Sequence, residues 1–121
     1  MRSVAFIATE SGDDLILSFA LRDWQDPSEI QSLILQRTPK YEPLLEEHER
    51  GVQVSLEGAA DDEDDYLESL DYSQPEEVVR IKTALRHYDL DVRRVDRKEL
   101  ARMGPLLRKM NYDGRFKISG V

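Results

Sequence analysis

Cysteine is absent from this chain of 121 residues, which excludes disulfides, thiolate catalysis and zinc sites built on cysteine. Only two histidines are present, His48 and His87, and they lack the spacing of one helical turn that a metalloprotease motif needs. The six glycines are scattered and form no phosphate-binding loop, and no serine lies in a nucleophile elbow. The sequence therefore predicts no catalytic residue, no metal ligand and no cofactor, and it favours a non-catalytic protein over an enzyme.

Long apolar runs are also missing, and no stretch has the length of uncharged apolar residues that crosses a bilayer. The run at Val4–Ala8 gives way to Thr9 and Glu10, so it is too short for the core of a signal peptide and fits a buried strand. With 40% hydrophobic and 35% charged residues, the composition is typical of a folded domain with a charged surface. We expect one cytoplasmic domain over residues 1–121.

Positive charge is scarce in the first part of the chain. Residues 1–77 hold 5 Lys and Arg against 20 Asp and Glu, a net charge of −15, whereas residues 78–121 hold 12 against 5, a net charge of +7. Such halves either pair within the fold or present two faces of opposite sign, and the second arrangement steers charged partners. The total of −8 weighs against general binding to nucleic acid, because phosphate contacts need a surplus of Lys and Arg.

Alternation of apolar and polar residues predicts most of the strands. They are expected over residues 4–9, 15–21, 30–36, 52–56, 88–92 and 116–118. The first two flank Ser11–Asp14, whose Gly and Asp suit a tight turn, so they predict an N-terminal hairpin. Residues 66–72 fit a strand face and a helix face equally. Residues 37–50 fit one or two helical turns beginning at Pro43, or an extended loop.

A first helix is expected after Ser73 and Glu76, which match a capping box. The apolar spacing that follows predicts a helix over residues 75–87. An alternating strand over the same residues is the alternative.

A second helix is expected near the C-terminus, where Asp96 and Glu99 form another possible capping box. Its apolar stripe consists of Leu100, Met103, Leu107 and Met110. Gly104–Pro105 interrupts the stripe, which predicts a kink or two short helices. Together these patterns predict an α+β fold, with a mainly antiparallel sheet packed against one or two helices as a single layer pair.

A run of acids gives the first candidate site. The acidic loop consists of Asp61, Asp62, Glu63, Asp64 and Asp65. It lacks the alternating ligands, central glycine and distal glutamate of an EF-hand, and adjacent carboxylates repel one another, so the sequence predicts no specific metal site. We expect an exposed loop, with docking of a basic partner as its functional interpretation.

Trp24 is the second candidate, because it lies in a loop-like segment just past the second expected strand. A tryptophan in such a place either caps the edge of the core or anchors a partner. We therefore group Trp24 with the acidic loop as the candidate partner-binding residues.

The C-terminal third carries a basic series: Arg93, Arg94, Arg97, Lys98, Arg102, Arg108, Lys109, Arg115 and Lys117. Basic residues next to aromatic ones such as Tyr112 and Phe116 can hold single-stranded nucleic acid. The acids Asp89, Asp91 and Asp96 lie among them, which favours a solvated helix face that pairs with the acidic half.

In its general profile, which is short, acidic and without a catalytic motif, the chain is similar to small bacterial immunity and antitoxin proteins. That likeness implies an inhibitor that places carboxylates against a basic target. We expect a non-catalytic protein-binding module with a basic protein partner, no membrane association and no nucleic acid, and self-association stays open. The alternatives are a nucleic-acid-associated protein that uses the basic C-terminal third and a small carboxylate-based enzyme.

Overall fold

In the computed structural model, which describes residues 1–23, 25–26, 28–59 and 64–121, the chain forms eight strands and one α-helix, with two short 3-10 helices between the third and fourth strands. The strands are β1 Arg2–Ser11, β2 Leu15–Arg22, β3 Ile30–Arg37, β4 Gln53–Leu56, β5 Leu67–Ser73, β6 Val78–Thr83, β7 His87–Asp91 and β8 Lys117–Ser119. The helix α1 is Arg97–Met110. No helix in these ranges combines the length and the apolar character that crossing a lipid bilayer requires.

All eight strands belong to one mixed sheet with the order β4-β3-β2-β1-β7-β6-β5-β8. The pairs β1–β7 and β5–β8 are parallel, and the other five pairs are antiparallel. The expected α+β class with a mainly antiparallel sheet is confirmed at this level, while the single layer pair stays a prediction.

The β4 edge of the sheet also meets the residues that lead into β5. The Val54 amide donates to the Asp65 carbonyl at 2.8 Å, and the Leu67 amide donates to the Val52 carbonyl at 2.8 Å. Gln53 and Tyr66 form an antiparallel bridge at the same place. The sheet therefore curls until strands from its two halves come into contact.

The N-terminal hairpin forms as its sequence predicts. Leu15, Leu17, Phe19 and Leu21 are buried along one face of β2. Ile7 of β1 pairs with Phe19, and it is buried on the same face. These side chains join one continuous core with the inward residues of the other strands and with α1.

The helix expected over residues 75–87 is wrong, because β6 occupies the middle of this range and β7 begins at its end. Gln74–Glu77 is the turn of a β5–β6 hairpin, with Pro75 at its second position and Glu77 at a φ of +56°. Val79, Ile81 and Thr83 are buried, whereas Arg80 and Lys82, which alternate with them, are exposed. The strand alternation therefore outweighs the helical spacing. Pairing with both β5 and β7 fixes this strand.

The C-terminal helix is a single continuous helix rather than two short ones. Asp96 caps it by accepting a hydrogen bond from the Lys98 amide at 2.7 Å. Pro105 lies inside this helix, on its exposed side. Three residues of the expected stripe, Met103, Leu107 and Met110, are fully buried, whereas Leu100 is half-buried.

Candidate functional site

Arg37, at the end of β3, is 1% exposed and is the most deeply buried charged residue that the structure describes. The alternation of β3 places it on the inward face with Leu33 and Leu35. Burying a guanidinium costs free energy unless its N–H donors have hydrogen-bond acceptors. The residues that supply acceptors to Arg37 are therefore held in place around it.

The partners of Arg37 come from two distant parts of the sequence. Its Nε and Nη2 donate to the two carboxylate oxygens of Glu42 at 2.7 and 2.8 Å. Its Nη1 and Nη2 donate to the two carboxylate oxygens of Asp113 at 2.9 and 2.7 Å. Nη1 also donates to the Met110 carbonyl at 2.7 Å, and the Tyr112 ring centroid lies 4.2 Å from the guanidinium carbon. Every N–H of the guanidinium therefore has an acceptor, in two bidentate pairs.

The charges in this cluster stabilise one another. Hydrogen bonding to Arg37 is the main reason why the pKa values of Glu42 and Asp113 lie below their usual range, while burial acts in the opposite direction on both. Burial by itself would lower the pKa of Arg37, but hydrogen bonds to the two carboxylates outweigh burial and raise it. All three groups are charged at neutral pH, so one buried cation is shared by two anions.

The ion pairs continue to the surface through Asp113. Its Oδ2 also accepts from Arg115 Nε at 2.6 Å, and Arg115 Nη2 donates to Glu47 Oε1 at 2.6 Å. We call the chain of pairs Glu42–Arg37–Asp113–Arg115–Glu47 the Arg37 network. It joins the stretch after β3 to the stretch after α1 at two separate points.

The two attachment points lie in consecutive 3-10 helices, Glu42 in Pro39–Leu44 and Glu47 in Glu47–Glu49, and we call residues 39–49 the 39–49 segment. Pro43, inside the first of these helices, lacks the amide that a regular α-helix would use. The turn-type bond from the Leu45 amide to the Glu42 carbonyl, at 2.9 Å, takes the place of an α-helical bond. Of the two alternatives expected for residues 37–50, helical turns or an extended loop, the structure shows short turns of 3-10 helix.

The 39–49 segment presents large apolar side chains to solvent. Tyr41 is 56%, Leu44 84% and Leu45 38% exposed. Tyr112, which contacts the Arg37 network, is 57% exposed. Single exposed apolar residues are common, but several in one short segment are typical of an interaction surface.

The same segment is acidic, with four glutamates against one lysine. Glu42 is committed to Arg37, whereas Glu46, Glu47 and Glu49 are exposed. Lys40 lies 3.5 Å from Asp13 in an exposed pair, so an acid of the β1–β2 turn offsets its charge. The segment thus carries both exposed apolar side chains and exposed carboxylates, the two kinds of residue that form the core and the rim of an interface.

The sequence-predicted site residues have different outcomes. Trp24, Asp61, Asp62 and Glu63 lie outside the described residues, so their assignment as partner-binding residues stays a prediction. Asp64 is exposed, as expected for the acidic loop.

Asp65 does not belong to an exposed loop, which corrects that part of the expectation. It is 7% exposed, and its two carboxylate oxygens accept hydrogen bonds from the Thr83 hydroxyl at 2.5 Å and the Leu85 amide at 3.1 Å. These bonds hold the turn between β6 and β7 against the residues before β5. The role of Asp65 in this structure is therefore to fix a turn.

Asp64 and the 39–49 segment lie next to adjoining surface depressions. The first depression, of about 200 Å³, is lined by Tyr41 and Leu45, and the second, of about 180 Å³, is lined by Asp64. Gln36 and Gln53 line both. The described end of the acidic loop and the segment therefore belong to one side of the protein.

Sequence reasoning missed the 39–49 segment as a site. One usable signal was the alternation of β3, which continues through Leu33 and Leu35 onto Arg37 and predicts a buried charge that needs partners. The two prolines of the segment indicate irregular backbone, but neither pattern reveals that Tyr41 and Leu44 face outward.

The two histidines lie apart from any candidate metal site in the described part of the chain. His48 and His87 are both exposed, and His48 lies 3.8 Å from Glu49. Within the described ranges, no group of three or more His, Cys, Asp and Glu is placed to hold a metal ion.

The basic part of the sequence, residues 78–121, pairs in part with the acidic residues 1–77. Arg115 contacts Glu47, and Lys82 lies 3.7 Å from Glu68. Arg80 donates to Glu76 at 2.7 Å. The two oppositely charged parts of the sequence are thus brought together at several points.

Comparison with known proteins adds no relative: no protein-family model matches the chain, and neither a curated protein nor a solved structure matches it.

Proposed function

We propose that this protein is a non-catalytic binding module whose partner is a basic protein, with inhibition of an immunity or antitoxin type as its most specific form. The observation that carries the proposal is the 39–49 segment, where exposed Tyr41, Leu44 and Leu45 share one short stretch of chain with exposed glutamates. The apolar side chains supply area for burial, and the carboxylates favour a partner of opposite charge.

The way in which the segment is held supports a binding role. A loop that becomes ordered only on binding loses conformational entropy at that moment, and this loss weakens its affinity for the partner. The 39–49 segment is attached from within by Arg37–Glu42 and from outside by Arg115–Glu47. Its backbone is therefore organised before any partner arrives.

The charge of the protein supports the same class of partner. The total of −8 attracts a basic protein over a distance, and the acids of residues 1–77 concentrate that charge in the first part of the chain. An inhibitor of a basic enzyme needs no chemistry of its own, because covering the basic surface is sufficient.

The test is affinity purification from the native host, after nuclease treatment, with wild type and the variants Leu44→Ser and Leu85→Ser. Leu85 is a matched control, since it is 50% exposed and lies on the β6–β7 turn, outside the segment. We expect one stoichiometric basic protein with wild type and Leu85→Ser, and a marked loss with Leu44→Ser. Equal recovery with both variants would reject the 39–49 segment as the interface, and an acidic partner would reject the charge argument.

A further inference from the structure

A second surface feature, of opposite sign, lies where β1 begins and where β2 and β7 end. It is a depression of about 670 Å³ whose charged lining consists of Arg2, Arg22, Arg93, Arg94, Asp23 and Asp91. The topology explains this convergence, because β1 pairs antiparallel with β2 and parallel with β7. We call this feature the arginine depression.

Positive charge exceeds negative charge in the arginine depression, with four guanidinium groups against two carboxylates. Asp91 is partly neutralised, since its Oδ1 accepts from the amide and from Nε of Arg93 at 3.0 and 3.1 Å. Asp23 Oδ1 accepts from the Gln25 amide at 2.8 Å. A local excess of cations on a protein with a net charge of −8 needs an explanation.

Arg2 is held in a fixed orientation at the floor of the depression. Its Nη1 donates to Gln31 Oε1 at 3.1 Å, and its Nε and Nη2 donate to the Arg22 carbonyl at 3.4 Å each. A guanidinium has more N–H donors than these bonds use, so Arg2 retains donors for a further acceptor.

Arg22 supplies the strongest indication of a missing partner. Its Nε is buried and has no hydrogen-bond partner within the part of the chain that the structure describes. A buried donor without an acceptor is rare, since it gives up its bond to water and receives nothing in return. Arg22 lines the depression, so a rotation of its side chain would bring this donor to an anionic oxygen bound there.

We propose that the arginine depression binds a small molecule that carries a diphosphate group. Arginine forks match phosphate oxygens, and four guanidinium groups present more donors than a single carboxylate can accept. The arginines converge on one bounded depression, and the surrounding protein is acidic. Both features favour a compact phosphate ligand over an extended nucleic-acid backbone, which would also face the repulsion of that charge.

The test is isothermal titration calorimetry with sodium pyrophosphate, using wild type and the variants Arg94→Gln and Arg102→Gln at constant ionic strength. Arg94 is exposed, so its replacement leaves the fold intact; Arg102 is an exposed matched control on α1, outside the depression. We expect binding at a ratio of one to one, weakened about tenfold by Arg94→Gln and unchanged by Arg102→Gln.

Three results would overturn the proposal: no binding of pyrophosphate to wild type, equal affinity of Arg94→Gln and wild type, or equal weakening by both variants. A single-stranded oligonucleotide serves as the competing probe. If it binds more tightly than pyrophosphate and is weakened by Arg94→Gln, the depression serves nucleic acid and the small-molecule assignment is wrong. Arg22→Gln provides a second variant, with circular dichroism as its check on folding.

Discussion

Arg37 and Glu42 are five residues apart and meet through two parallel hydrogen bonds of 2.7 and 2.8 Å, with both side chains almost entirely buried. The pair closes the short turn that leads from β3 into the 39–49 segment. Because Asp113 shares the same guanidinium, the position of the segment depends on a contact with the end of α1. Stability and the proposed binding surface are therefore linked through one side chain.

Replacing Arg37 should destabilise the protein strongly. Arg37→Met removes the cation that pairs with Glu42, and loss of one partner of a buried ion pair costs about 3–5 kcal/mol. Urea unfolding followed by circular dichroism measures the change in the free energy of unfolding. The matched control is Arg80→Gln, since the exposed Arg80–Glu76 pair should contribute about 0–1 kcal/mol. Similar losses for the two variants would show that the Arg37 network is not a main source of stability.

The Arg37 network should also make stability depend on pH. Hydrogen bonding to Arg37 lowers the pKa of Glu42 in the folded protein, and the pKa of Asp113 is lowered for the same reason. Groups with a depressed pKa stabilise the folded state fully above their ordinary pKa, and they lose this contribution as pH falls through the folded value. The difference in unfolding free energy between wild type and Glu42→Gln should thus be largest near neutral pH and shrink below about pH 4.

The measurement for this prediction is a series of urea titrations between neutral and acidic pH. Glu76→Gln is the control, because Glu76 is exposed and its replacement should change the unfolding free energy little at any pH. If the difference in unfolding free energy between wild type and Glu42→Gln stays constant with pH, the lowered pKa of Glu42 is contradicted.

The alternation of apolar and polar residues predicted the strands of the N-terminal half well. It was less informative where the same residues fit both the strand period and the helical period. Leu15, Leu17, Phe19 and Leu21 leave no helical alternative, so β2 follows from the sequence alone. Residues 75–87 carry both periods, and their state is decided by strand pairing with β5 and β7, which are distant partners that a local pattern does not contain.

Glu99 illustrates the same limit at a helix end. The sequence matched it to a capping box with Asp96, and Asp96 does cap the helix. Glu99 Oε1 instead accepts from the Ile7 amide at 2.6 Å, across 92 residues, just after the irregularity in β1 between Val4 and Phe6. A residue type that fits a local motif can thus be used by a long-range contact.

Neighbouring acids at the end of the acidic loop should differ in their effect on stability. Asp65→Ala leaves the Leu85 amide and the Thr83 hydroxyl without their carboxylate, so we expect a loss of about 1–3 kcal/mol. Asp64→Ala alters an exposed residue and should change stability by less than about 0.5 kcal/mol. Thermal or urea unfolding of the two variants provides the comparison, and equal stability would mean that the Asp65 contacts contribute nothing.

The candidate site was less predictable than the fold, because side-chain exposure depends on what covers each residue. Leu44 and Leu107 are the same residue type, yet Leu44 is 84% exposed and Leu107 is fully buried beneath the sheet. The spacing of Leu107 with Met103 and Met110 identifies it as core. Leu44 lies between Pro43 and Leu45, without a periodic pattern, and only the structure shows which way it faces.

In binding to the partner recovered by affinity purification, the charged residues should affect mainly the association rate, and the apolar residues mainly the dissociation rate. Glu46→Gln and Glu49→Gln together remove two exposed carboxylates of the 39–49 segment and leave the anchoring pair Arg115–Glu47 intact. Electrostatic steering acts on encounter, so the double variant should associate more slowly and show a weaker dependence on salt than wild type. Leu44→Ser should leave the association rate nearly unchanged and raise the dissociation rate about tenfold, since the buried centre of an interface sets residence time.

Surface plasmon resonance at several salt concentrations measures both rates. The control for the charge variant replaces Glu10 and Glu68 with Gln, which changes the net charge by the same amount outside the segment. If both double variants slow association equally, only the overall charge of the protein steers the partner. If Leu44→Ser leaves dissociation unchanged while the segment variant slows association, the partner approaches the 39–49 segment but does not bury its apolar centre, and the interface lies elsewhere on the acidic surface.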